Sequence, residues 1–145
     1  MAHLLLEKML AEKGETEIKV HSGGIAIYAR DGMIASLDAH FMLQEQDIHI
    51  EREKFVSTDL KKHRDLISNA DLILTMTGEQ KAMLEAFREA ADKPTYTLKE
   101  FCGEEGDIED PAMQGEEAFR ARMVEIKHCL EQSLEALIVQ SGQVQ

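Results

Sequence analysis

Apolar residues recur at three- and four-residue steps from the start of the chain. Leu5, Leu6, Met9 and Leu10 line one side of a helix predicted over Ala2–Lys13, with Gly14 as its stop. The period then changes. Glu17–His21 alternates polar and apolar, the pattern of a half-buried strand, and Ser22-Gly23-Gly24 turns the chain. Met33–Gln46 returns to helical spacing, with Ile34, Leu37, Phe41 and Met42 expected to face inward; Asp47–Ile50 is a short extended stretch. Thr58 is the expected N-cap of a third helix reaching Asn69, with Leu60, Leu66 and Ile67 as its apolar side. Asp71–Met76 is a continuous apolar run, which predicts a strand covered on both faces. A fourth helix follows from Thr77 to about Ala91, Pro94 breaks the chain, and Thr95–Leu98 is a short strand. Residues 99–113 read as an acidic loop. Phe119, Met123, Ile126, Leu130, Leu134 and Leu137 then mark a long helix over Glu116–Val139, and a polar tail closes the chain.

Alternating helices and strands predict an α/β fold of three layers, a small parallel sheet flanked by helices. The 145 residues suit a single domain spanning 1–145 that can bury a core. Right-handed crossovers call for one more strand ahead of the first helix, so the expectation is a truncated domain whose first strand is missing.

Charge narrows the function. Against 16 basic residues stand 28 acidic ones, a net −12, with no basic stripe. Such a surface repels nucleic acid and anionic membranes, so neither is expected as a partner. No apolar run approaches a membrane span and no leader pattern is present. Cys102 and Cys129 lie far apart without CxxC spacing, which argues against a structural zinc site or a disulfide framework and for a reducing, cytoplasmic setting. The six histidines offer no i,i+4 pair suited to a metal, and neither metal nor other cofactor is expected. Six residues after Cys102 is Ile108, and six after Cys129 is Glu135, so neither cysteine has the Arg that a phosphate-attacking thiolate needs. The acidic neighbours Glu100, Glu104, Glu105 and Asp107 favour the neutral thiol at Cys102, and Cys129 reads as an ordinary helix thiol.

Four segments resemble one family. Val20-His21-Ser22-Gly23-Gly24 is similar to the second strand and Ser-Ala-Gly turn of the low-molecular-weight protein-tyrosine phosphatases, whose bacterial members include tyrosine and arginine phosphatases. Met1–Leu6 resembles the start of the helix that follows their phosphate loop. Ala70–Thr77 matches their Ala-Asp-Leu-Ile-Leu-x-Met segment, and Thr97–Phe101 with Gly106-Asp107-Ile108-Glu109-Asp110-Pro111 matches their late loop in order and spacing. The resemblance covers nearly the whole chain. It implies hydrolysis of phosphotyrosine or phosphoarginine through a phospho-cysteine intermediate, with a phosphorylated protein as substrate. Two departures stand out: Ala112 follows Asp110-Pro111 where the family commonly has Phe, and in the segment around Arg52, where the family often has a His, none stands at the matching place.

That chemistry needs a low-pKa thiolate at a helix N-terminus, an Arg six residues on, and a carboxylic acid for the leaving group. The Cys-x5-Arg loop does not occur within these 145 residues. By resemblance Asp110 is the general acid, then the base that activates water; Asp107 supports it by charge or loop shape, and Ser22 holds the phosphate loop. Tyr28 and Arg30 fall where the family lines its substrate cleft, though a surface loop is the better reading of the residues. The chain is thus expected to be inactive as given, and a longer product carrying the loop to be a phosphatase. Two alternatives remain: a catalytically dead binding module of the same fold, and an arsenate reductase-like protein, which would need the same Cys. Unpaired strand edges are further expected to promote homo-oligomers through β-augmentation.

Overall fold

The computed structural model describes residues 1–51 and 53–142; the position of Arg52 and the end of the polar tail lie outside them. The helical start forms as read: α1 spans Ala2–Glu12 and buries Leu5 and Leu10. Gly14, at φ +75°, follows the cap residue Lys13, and the Gly14 and Glu15 N–H groups return to the Ala11 and Leu10 carbonyls. This left-handed ending is the reason a glycine stands there.

Helix α2 is shorter than its period, Leu37–Glu45, because Ser36 caps it by accepting from the Ala39 N–H at 3.2 Å. Its inward face is Ala39, Met42 and Leu43, whereas Ile34, Leu37 and Phe41 stay about half exposed, a correction to the expected face. The third helix is likewise cut back, to α3 at Asp65–Ser68. Thr58 is not a cap: its carbonyl accepts from the Gly24 N–H at 2.9 Å, and the Leu60 N–H returns to the Gly24 carbonyl at 3.0 Å. Those tertiary bonds hold residues 58–60 out of a helix.

Ile73–Thr75 (β1) and Thr95–Thr97 (β2) pair in parallel, Ile73 opposite Thr95 and Thr75 opposite Thr97. The coverage of both faces read from the sequence is present. Ile73 packs on one cluster, Ile67, Leu84, Phe87 and Ala90, while Leu74 packs on the main core of the opposite side. Glu17–His21 departs from expectation. It forms no ladder among the described residues, although Ile18 and Val20 pack on Leu10, Leu134 and Leu137. Its alternation reports side-chain burial, which a strand pattern shares with any extended chain lying on a core.

Thr77 opens α4, Gly78–Met83, with a reciprocal capping box to Gln80, and the helix then decays into 3-10 turns at Leu84–Ala86 and Arg88–Ala90 instead of running on to Ala91. Phe87 sits between them at φ −103°, ψ 112°, which swings its ring into the second cluster. The supposed acidic loop opens with a helical turn, α5 at Leu98–Phe101, capped by Thr97 and Glu100 in the same reciprocal way. The last helix, α6, runs Glu116–Gly142 and packs against α1, α2 and α5. Met42, Leu43 and Leu98, each only 1 % exposed, meet there with Met123, Ile126 and Leu130. Burying each such side chain contributes about 1.5–3 kcal/mol.

Three carboxylates give the fold a pH dependence. The Lys61 ammonium at 3.0 Å pulls Asp59 below the usual carboxylate range. The Asp59 N–H at 2.6 Å, then His63, does the same to Asp31. The Thr97 N–H, then Lys81, lowers Glu100. Groups with depressed folded pKa values bind fewer protons folded than unfolded, so the stability they contribute is present above the ordinary carboxylate range and is lost as pH falls through the folded values. The urea midpoint is expected to drop steadily below pH 4, and Asp59→Asn to flatten that slope; a slope unchanged in D59N would remove Asp59 from the account.

Candidate active site

In a parallel pair both strands end on the same side, and ligand sites of open α/β sheets gather at that carboxyl edge. Two loops leave from it here. One is Met76–Gly78, after β1; the other runs from α5 to Asp110, after β2. Two contacts lock them together. The Ile108 N–H donates to the Met76 carbonyl at 2.9 Å, and Ile108 itself is 2 % exposed in the main core. The Gly78 N–H donates to Asp107 Oδ1 at 2.9 Å, placing a carboxylate on the first turn of α4.

Asp110 lies two residues beyond the Ile108 anchor and stays exposed. Its Oδ1 accepts from the Ala112 N–H at 3.0 Å, and its carbonyl from the Gln114 side chain at 3.0 Å. Pro111 restricts the backbone between those contacts. The carboxylate is therefore held on a short, exposed turn. Asp107 is shown in a different posture from the one a free acid would take: it is spent on the α4 start, as a loop pin. Asp107→Ala is expected to cost about 0.5–1.5 kcal/mol, the range of one net hydrogen bond, read as a lower urea midpoint with the slope preserved.

Ser22 meets a residue that sequence reasoning passed over. Its Oγ is hydrogen-bonded to His3 Nδ1 at 2.6 Å, tying the segment after Val20 to the first turn of α1. His3 also packs edge-on against Phe55 and faces Glu7 at 3.4 Å. Burial lowers its pKa from 6.5, with Glu7 opposing, so the ring is uncharged at neutral pH. Nothing in the spacing of His3 signals this partnership. Gly23 beside Ser22 is also no plain turn residue. A Cβ there would lie 2.6 Å from the Leu60 side chain and 3.0 Å from the Thr58 carbonyl, so only glycine lets residues 58–60 approach. Ser22 and Asp110 share no hydrogen bond among the described residues.

Tyr28 and Arg30, with Ser57 and Met33, line a shallow cavity of about 520 Å³. Tyr28 is 81 % exposed, in keeping with the surface-loop reading. The two cysteines, remote in sequence, come together where the end of α5 meets α6. Burial, then the neighbouring Cys102, pushes the Cys129 thiol up to about 12. A thiol so held is protonated at neutral pH and is no phosphorus nucleophile.

The profile of the family described as "Low molecular weight phosphotyrosine protein phosphatase" matches residues 1–143. The chain belongs to that family. A protein-arginine-phosphatase of Geobacillus stearothermophilus is 36 % identical over 131 residues, 89 % of this chain and 83 % of the relative. A solved structure of the YwlE arginine phosphatase from Geobacillus stearothermophilus superposes with a TM-score of 0.77 at 34 % identity, over 98 % of this chain and 86 % of that one. A low molecular weight protein tyrosine phosphatase from T. tengcongensis gives 0.79 at 26 % identity, over 93 % and 88 %. A protein phosphatase fold with a small parallel sheet between helices is thus established, and phosphorylated proteins are the substrate class of the family. Among the described residues, no helix is long and apolar enough to cross a membrane.

Proposed function

We propose that Asp110 is the general acid and base of a protein phosphatase site at the carboxyl edge of β1 and β2. The observation that carries this is the double anchoring of its loop, Ile108 on Met76 and Asp107 on Gly78, which holds an exposed carboxylate where the strands end. In the first half-reaction a thiolate takes the phosphoryl group while the acid protonates the departing oxygen or nitrogen. In the second, the resulting carboxylate draws a proton from water as it attacks the phospho-cysteine. An uncapped first turn of α1 without acidic residues suits a phosphate at that end. Ser22, through His3, would hold the neighbouring segment in place.

The 145 residues contain no Cys-x5-Arg, so turnover requires that loop from elsewhere. The substrate is a phosphorylated side chain of a protein. The greater identity to relatives named arginine phosphatases directs the first assay to phosphoarginine, with phosphotyrosine as the comparison. A cytoplasmic setting, where thiols stay reduced, suits a cysteine phosphatase. The test is a graft. The first strand and Cys-x5-Arg loop of the Geobacillus stearothermophilus relative, fused ahead of Met1, are expected to produce phosphate release, whereas the ungrafted chain stays at the blank. A folded graft without turnover on either substrate would overturn the proposal in favour of a binding role.

A further inference from the structure

A soft-metal donor set is assembled from residues 102, 104 and 129. Cys102 is the C-cap of α5, Glu104 lies two residues on, and Cys129 sits inside α6. One ligand atom from each lies within 4.8 Å of the other two. With metal–thiolate bonds of about 2.3 Å, the edge of a tetrahedral site is about 3.8 Å, so closing onto an ion takes shifts of at most about 1 Å. The Cys102 thiol makes two long, weak contacts. Cys102 Sγ lies 3.4 Å from the Lys99 carbonyl and 3.7 Å from Glu104 Oε2. His128 Nε2 is hydrogen-bonded to the same Glu104 oxygen at 2.9 Å, the kind of outer contact that orients a ligating carboxylate. Cys129 is 1 % exposed, Cys102 is half-buried and Glu104 is open, so an ion has both a shielded floor and an entrance.

We infer that Cys102, Glu104 and Cys129 form a binding site for a thiophilic divalent cation such as zinc, with a fourth position left to water. Two thiolates and one carboxylate match the donor preferences of that ion. Binding breaks two S–H bonds and forms two metal–sulfur bonds; the two protons pass to solvent and no electron is transferred. The ion would join the end of α5 to the middle of α6. That joint lies at the root of the segment that continues to Asp107 and Asp110, so its role is to brace the loop. The inference stands on these three residues and does not depend on the phosphatase reading.

The probe is cobalt(II) added to the full, thiol-reduced chain, followed by displacement with zinc. One equivalent is expected to produce a thiolate-to-cobalt charge-transfer band, abolished by zinc, together with a higher Tm. Cys102→Ser is expected to weaken binding by about 100-fold and Glu104→Gln by about tenfold. Because Cys102 is only half-buried, C102S keeps the fold even where a buried Cys129 variant does not, and circular dichroism checks this. Absence of the band in the reduced wild type, affinity unchanged in C102S, or capture of the two thiols as a disulfide without metal uptake would each overturn the site.

Discussion

Asp110→Asn, made in the grafted chain, is expected to lower kcat on phosphoarginine by about 10²- to 10⁴-fold, the range for removing a positioned acid. Asparagine keeps the Oδ1 acceptor that holds the Ala112 N–H, so the turn survives and only the proton is lost. The penalty should shrink on an aryl phosphate whose phenolate already leaves easily, because that leaving group needs less protonation. This substrate dependence separates an acid from a loop fastener. If D110N loses activity equally on good and poor leaving groups, Asp110 acts through loop shape and the proposed role fails. Stability gives an independent control, since the substitution at an exposed carboxylate with its hydrogen bond retained should leave the urea midpoint nearly unmoved.

Ile108→Ala carries the second large effect, on stability. The side chain is 2 % exposed among the residues of the main core, and truncation leaves a cavity there. The expected loss is about 2–5 kcal/mol, a large share of the 5–15 kcal/mol or so that holds a typical domain together. Ile108→Val should cost about 0.5–1.5 kcal/mol, since only one methylene is removed. The consequence reaches the site because the Ile108 N–H is the bond to Met76 at the end of β1. Hydrogen exchange at that amide should speed up in I108A more than at the central amides of α6. A loss under 1 kcal/mol, with exchange unchanged, would mean that the loop is held by Asp107 and Gly78 alone.

Asp110 illustrates how far local reading reached. Its loop was recognisable from Asp-Pro and from the spacing to Asp107, yet the sequence did not say that these neighbours divide the work. Only the fold reveals that Asp107 accepts from Gly78 while Asp110 faces outward. The short turn α5 has a local cause, the Thr97-x-x-Glu100 capping box, inside a stretch whose acidity otherwise has the composition of a loop. The overlong third helix has a different cause, because apolar spacing continues where backbone bonds go to another segment, as at Thr58 and Gly24, whereas the fourth tightens into local 3-10 turns at Leu84–Ala86 and Arg88–Ala90.

What the chain alone determined were the features whose causes sit within a few residues. The periodicity of α1 and α6, the glycine stop at residue 14, the apolar run that becomes β1, and the helix start at Thr77 are of this kind, because helix, cap and strand preferences are set by near neighbours. Tertiary structure decided the rest: the absence of a ladder at Glu17–His21, the bond between Ser22 and His3, the locking of Ile108 to Met76, and the meeting of Cys102 with Cys129. Each of these depends on a partner distant along the chain, and pairing at such range follows from how the helices and strands pack, which no local pattern encodes.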